Sequence, residues 1–140
     1  MIAIQLTGLE LSESWQDENP LARARAAFPI VGVPGTESMG LVYFEVEPGQ
    51  SLAMHTDSED EMVVLLSGEA EATVGEERGH LRAGALAFIP AMVPHSFRNT
   101  GDETLRVAGV FAGSDVVSEF THPLQPMGLS VLEHQALAAV

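Results

Sequence analysis

His55 and Asp57 stand two residues apart, and Glu61 follows four residues later. On a β-strand, residues i and i+2 project from the same face. A strand over 51–56 continuing into Asp57 therefore points His55 and Asp57 into one space, with Ser51 and Ala53 beside them. Glu61 opens a second run, followed at once by Met62-Val63-Val64-Leu65-Leu66. Glu61, Val63 and Leu65 share one face of that run and Met62, Val64 and Leu66 the other. Apolar on both sides, it reads as a central, buried strand. A carboxylate buried at its start needs a partner, and a divalent cation is a good one.

A second group lies in residues 84–99, GALAFIPAMVPHSFRN. Gly84 turns the chain into an apolar run, and Pro90 and Pro94 frame a turn that leads to His95. With 94–98 extended, His95 and Phe97 share one face, and Ser96 and Arg98 share the other. A histidine placed this way fits a ligand arriving from a neighbouring strand.

The elements that must position these residues are short and β-like. Runs rich in Val, Leu, Phe and Ile recur every eight to twelve residues, bounded by Gly and Pro. They predict strands near 30–33, 39–47, 51–56, 61–66, 69–74, 79–82, 85–89, 94–98 and 104–112, with a short one at 115–120. Regular short strands with turn signals mean an all-β sandwich or barrel. No βαβ alternation is visible, which disfavours a parallel nucleotide-binding sheet. Ser67-Gly68 reads as a tight hairpin turn. The barrel is expected over 29–122. An N-terminal strand (residues 1–8) with a polar extension to 28 precedes it, and a tail over 123–140 packs on the barrel or on a partner chain. Short helices are expected at 21–28, after Pro20, and from about Leu129.

Composition narrows the chemistry. The chain has 140 residues, enough for a single core, and 46% of them are hydrophobic, so it is globular. There is no cysteine, so any metal is held by His, Asp, Glu or backbone oxygen. A formal charge of −14 argues against nucleic acid and anionic membranes as partners. The N-terminus lacks a basic and a long apolar region, so no signal peptide is expected. No run approaches the ~18 apolar residues of a membrane span. The expected compartment is the cytoplasm and the expected partner a small molecule.

At this point the chain resembles the cupins. Their first motif places glycine, five residues, His, one residue, His, three or four residues, Glu, six residues, Gly. Gly49, His55, Glu61 and Gly68 fall at those spacings, and Asp57 stands where the second histidine is usual. The second motif places glycine, five residues, Pro, one residue, Gly, two residues, His, three residues, Asn. Gly84, Pro90, His95 and Asn99 match it, and Met92 replaces the middle glycine. The resemblance implies a jelly-roll barrel, the double-stranded β-helix, in which His55, Asp57, Glu61 and His95 converge on one metal ion. Two imidazoles and a carboxylate suit Fe, Mn, Ni, Co or Zn as divalent ions and leave positions open. Asp57 in place of a histidine lowers the net charge of a loaded site from about +1 to about zero. That shift favours harder ions, towards Mn(II) or Fe(II).

The resemblance also implies a small-molecule metalloenzyme, with a dioxygenase-like subclass favoured over isomerases, decarboxylases and lyases. Beside it stand a sugar- or effector-binding barrel without catalysis and a barrel whose metal site has decayed. Glu61 is a candidate for taking a proton, and Val63 and Phe97 for a substrate pocket. Phe88, Met92 and Phe97 are expected in the core. Glu59 and Asp60 are expected as solvated turn residues, His80 as exposed, and His122 and His134 as non-ligands. Arg98 is expected to face away from the metal and Arg106 to lie on the surface. Small members of the family pair as dimers, and the strand expected at Ile2–Leu6 and the Pro-rich tail are the contacts anticipated here.

Overall fold

The computed structural model describes residues 1–138. Among these residues twelve strands form two six-stranded sheets, and every strand pairing in them is antiparallel. The first sheet runs β1 (Ser12–Trp15), β2 (Arg23–Ala27), β3 (Gly40–Val46), β10 (Leu105–Phe111), β5 (Glu61–Ser67), β8 (Leu86–Ile89). The second runs β12 (Leu129–Glu133), β11 (Val117–Leu124), β4 (Ser51–Asp57), β9 (His95–Asn99), β6 (Glu69–Val74), β7 (Glu77–Arg82). Consecutive strands thus alternate between sheets through most of the barrel, the pattern of a jelly roll. One short helix, α1 (His134–Ala138), follows β12. Among the described residues no helix is long and apolar enough to cross a membrane.

The period-two pattern decides which side chains meet. Val63 and Leu65 of β5, Val107 of β10 and Phe44 of β3 face Ala72 of β6 and Phe97 of β9 across the main core. Phe97 packs against Phe44 with ring centroids 5.9 Å apart. Truncating a buried Phe of this kind costs about 3–5 kcal/mol. A smaller cluster of Ala22, Ala53, Phe120, Leu124 and Leu132 fills the inner face of the second sheet at its β4–β11–β12 end. Between the two apolar clusters lies a polar layer, and the functional residues occupy it.

Gly68 shows why the hairpin between β5 and β6 needs its glycine. Its φ is +85°, and a Cβ there would sit 3.0 Å from the Leu105 backbone. The β5–β6 turn therefore lies tight against the start of β10.

Several expectations are corrected at the ends of the chain. Residues 1–8 form no strand; Leu6–Gly8 is a single 3₁₀ turn and Met1–Gln5 are exposed. Residues 21–28 are not helical but contain β2; Ala24 within it and Ala22 just before it are buried, while Arg23 and Arg25 pair with glutamates. The alternation Ala-Arg-Ala-Arg-Ala is a strand period, and the helix propensity of alanine yields to it. Residues 30–33 are a turn closed by Val33 N–H on the Ile30 carbonyl. The polar stretch before Pro20 contains β1, and Leu129 begins β12 rather than a helix. Both sheets thus extend beyond 29–122. The last two positions of the tail expected over 123–140 lie outside the described residues.

The two-sided burial expected of β5 holds for one face alone. Val63 and Leu65 are fully buried, whereas Met62 and Leu66 project from the outer face and are exposed. Phe88 and Met92, expected in the core, are 56% and 60% exposed. Phe88 pairs with Met62 across β5 and β8, so it shares that outer face.

Candidate metal centre

The centre joins three strands from two sheets. β4 turns Ala53, His55 and Asp57 inward, and β9 sets His95 directly opposite His55. Glu61 enters from the opposite sheet, at the first position of β5. All four are buried: His55 is 7% exposed, Asp57 3%, Glu61 4% and His95 1%. The two imidazole rings lie 4.3 Å apart, and His55 also stacks on Phe120 at 4.6 Å.

Both rings are held by the backbone. His55 Nδ1 lies 2.7 Å from the Ala53 carbonyl, and His95 Nδ1 lies 2.9 Å from the Val93 carbonyl. A carbonyl can only accept, so each Nδ1 carries the proton and each neutral ring offers its Nε2 lone pair to the interior. This arrangement is the one that metal-binding histidines take. His55 Nε2 is 3.4 Å and His95 Nε2 3.1 Å from the same oxygen, Asp57 Oδ2. Ligand atoms of His55, Asp57 and His95 all lie within 4.8 Å of one another. Glu61 stands at the margin, with Oε1 3.6 Å from His95 Nε2.

Lone pairs therefore face one another in a dry interior. Asp57 Oδ2 and His95 Nε2 are fully buried with no hydrogen-bond partner among the described residues. Orphaned buried acceptors are costly, and a positive centre between them removes the cost. A divalent cation fits that donor set. In its place a proton serves: burial favours the neutral ring of His95, but the Asp57 and Glu61 carboxylates outweigh it and push His95 up to about 10. The two carboxyls diverge. Burial acts to raise Asp57, yet His55, His95 and Ser118 together hold it well below the usual carboxylate range. Glu61 is raised by burial and by the charge of Asp57, against the pull of His95.

Two glycine-sized spaces shape the site. Gly109 of β10 lies under Glu61, and a methyl at Gly109 would overlap Glu61 Oε2 and come within 3.1 Å of its Cδ. The carboxyl rests in the space that the missing side chain leaves. The second space is the turn at Met92, where the motif glycine is replaced. Met92 has φ +65°, a backbone region that favours glycine. The turn is tied to the metal strand, because Met92 N–H donates to the Asp57 carbonyl at 2.8 Å and Ala91 N–H to Asp60 Oδ1 at 2.8 Å.

Residues outside the motifs complete the surroundings. Ser118 Oγ donates to Asp57 Oδ1, and Ser118 Oγ lies 2.7 Å from His134 Nε2. His134 is 4% exposed, lies against Phe28 and Phe111, and is lowered to about 4 by burial, against the charge of Asp57. Neither Ser118 nor His134 stood out as a site residue in the sequence. The one local signal was Leu132 and His134 two positions apart at the end of an apolar pattern.

The remaining candidates lie elsewhere. Val63 and Phe97 are walled into the main core, and Phe97 meets His95 edge-on at 6.4 Å. Asn99 braces the backbone, donating to the Val46 and Glu103 carbonyls at 2.8 Å each. Asp60 is exposed, and Glu59 is half-buried. His80 is exposed beside Glu69 at 3.3 Å, and His122 is exposed. Arg98 faces outward to Glu71, and Arg106 is bound by Glu45 at 2.9 Å on the outer face.

Fold and site together define a two-sheet jelly-roll barrel with a buried His/Asp/His group suited to a metal ion. Residues 42–111 match the Cupin domain family, and the chain belongs to it. An uncharacterized protein of Streptomyces coelicolor is 29% identical over 75 residues, which is 54% of this chain and 70% of that protein. A cupin 2 conserved barrel domain protein from Rhodopseudomonas palustris superposes with a TM-score of 0.64 at 26% identity, over 75% of this chain and 72% of that one. Oxalate decarboxylase from Bacillus subtilis superposes with a TM-score of 0.68 at 22% identity, over 83% of this chain and 30% of that one. That last likeness is one of fold.

Proposed function

We propose that the protein is a metal-dependent cupin enzyme acting on a small oxygen-bearing molecule, with a dioxygenase-like reaction as the favoured subclass. The observation that carries this reading is the pair of orphaned acceptors, Asp57 Oδ2 and His95 Nε2, aimed at one point beside His55 Nε2. His55, Asp57 and His95 would hold the ion, and Glu61 is the further donor within reach. Two histidines and one carboxylate are the donor set that non-haem Fe(II) oxygenases use, with positions left open. The Mn(II) centres of Bacillus subtilis oxalate decarboxylase support a hard divalent ion on this fold. When bound, the ion would polarise an oxygen of the substrate as a Lewis acid or activate O₂.

The chain's own residues do the rest. The Ala53 and Val93 carbonyls fix both rings with Nε2 inward. Phe120 and Phe97 exclude water from the two sides of the imidazoles, which strengthens electrostatic contacts within. Glu61, raised by its burial, is the group able to hold a proton beside the centre.

Elemental analysis of tag-free protein, grown with metal supplementation, tests the reading together with oxygen uptake. The uptake panel is flavonols, diketones and small carboxylic acids. About one ion per chain, lost in His95→Ala, and uptake with a panel member are expected. A protein that stays empty after supplementation would show a decayed site. Ligand binding that persists in metal-free protein would instead favour a sugar- or effector-binding barrel.

A further inference from the structure

We propose that Ser118 and His134 form a hydrogen-bond relay that holds Asp57 as a one-oxygen ligand, and that this relay sets the affinity of the centre. The inference rests on the metal-centre reading above. Both residues lie outside the matched stretch 42–111, on β11 and at the start of α1.

The direction of the bonds follows from the atoms. A serine hydroxyl has one proton and can accept as well. Ser118 gives its proton to Asp57 Oδ1, which has none to give. The 2.7 Å contact between Ser118 Oγ and His134 Nε2 is then donated by His134. The order is His134 Nε2–H to Ser118 Oγ–H to Asp57 Oδ1. All three side chains are buried, so no water competes for these bonds.

The consequence lies at the other oxygen. With Oδ1 engaged by Ser118, Asp57 presents Oδ2 alone to His55 and His95. A carboxylate free at both oxygens can chelate an ion with two, which uses a position otherwise open to substrate. Backbone pairing sets the relay's geometry: Ser118 lies directly across from Asp57 in the β4–β11 ladder and from Leu132 in the β11–β12 ladder. The His134 backbone N–H is tied to the Val116 carbonyl at 2.9 Å, and its ring lies 4.6 Å from Phe28 and 5.1 Å from Phe111. The imidazole is thus held from both ends. Ser118 and His134 are positioning residues, since they act through Asp57.

The test compares wild type with Ser118→Ala, His134→Phe and His134→Gln in the full chain, using Co(II) as the probe. His134→Phe keeps an aromatic ring between Phe28 and Phe111 but removes the donor; His134→Gln restores an N–H. Affinity is measured by competition with a chelator, the Co(II) absorption spectrum reports the ligand set, and circular dichroism checks the fold. Ser118→Ala and His134→Phe should each lose about 10–100-fold in affinity, the usual cost of removing an outer-shell partner. Their Co(II) spectra should change in the same way, and His134→Gln should recover most of the loss. Equal affinity and an unchanged spectrum in Ser118→Ala and His134→Phe would overturn the relay while leaving the metal centre standing. A His134→Gln variant as weak as His134→Phe would also overturn it, because the ring rather than its donor would then matter. If wild type binds no Co(II), the metal-centre reading fails first and the relay with it.

Discussion

The burial of His134 makes a specific demand on the pH dependence of stability. Its ring is lowered from 6.5 to about 4 in the folded protein, chiefly by burial. In the unfolded chain it titrates near 6.5. As pH falls through that interval the unfolded state takes up a proton that the folded state refuses. Stability supported by His134 is therefore complete above about 6.5, falls progressively below it, and is fully lost below about 4. The gap of about 2.5 pH units, at about 1.4 kcal/mol each, gives about 3.5 kcal/mol in full, of which about 3 is reached by pH 4. The groups facing the ring are Phe28, Phe111, Ser118 and, at longer range, Asp57 and His55; Asp57 opposes the shift and His55 reinforces it.

Other groups titrate nearby with their own signs. Glu61 is raised, so its contribution grows as pH falls through its folded value. Asp57 is held low, so its contribution is lost below the usual carboxylate range. The difference between wild type and His134→Phe cancels both to first order. Urea unfolding of chelator-stripped protein at pH 7, 6, 5 and 4 gives that difference. The wild-type curve should fall relative to the variant by about 3 kcal/mol between pH 7 and 4. Parallel curves would refute the reasoning, since His134 would then be titrating alike in both states.

Four further outcomes follow from named contacts. Gly109→Ala should displace the Glu61 carboxyl without touching His55, Asp57 or His95. We expect a cost of about 1–3 kcal/mol, with Co(II) still bound; a thermal midpoint equal to wild type would show that Glu61 does not depend on that space. Met92→Gly should stabilise by about 1 kcal/mol by relieving the φ of +65°, and denaturant unfolding showing a loss of stability would contradict it. Asp57→His should raise the charge of a loaded site and shift preference away from Mn(II) towards softer ions, read in parallel metal titrations. An unchanged order of affinities would remove Asp57 from the ligand set. Leu86 and Phe88 on the free edge strand β8, with Met62 and Leu66 beside them, form an uncharged exposed face on a strongly acidic chain. We expect a second copy to cover it, giving a two-chain sedimentation mass that Phe88→Glu returns to one; a single-chain mass for wild type would refute this.

What was legible in the sequence follows from the range of each interaction. His55 and Asp57 are joined by a two-residue period, so their shared face could be read locally, and the structure places both inward. His95 and Glu61 came through motif spacing, and the strands that hold them fall within a residue or two of their expected bounds. The misread elements share a different cause. In LARARAA the period-two signal was carried by alanines, which bury little area and also favour helices, so β2 looked like a helical turn. Met62 and Leu66 looked buried because an apolar side chain does not say whether another sheet covers it. The structure shows which face of β5 meets the second sheet and which meets solvent.

The same distinction explains why Ser118 and His134 were missed. Ser118 is 61 residues from the carboxylate it serves, and it meets Asp57 through strand pairing between β4 and β11. A ligand set can be recognised by spacing because a strand and its turn bring the ligands together. The partners that orient those ligands arrive from other strands, where no local spacing rule operates. His134 reads as a tail residue until β12 is paired, since Leu132 then faces the Phe120 cluster and the next inward position is the imidazole. Asp57 therefore is more than the motif's departure from a second histidine. A histidine at that position has its remaining ring nitrogen to satisfy, whereas aspartate has a second oxygen, and in this chain Ser118 satisfies it with His134 behind the serine hydroxyl. The Ser118 and His134 variants decide whether Asp57, held in this way, serves as a ligand.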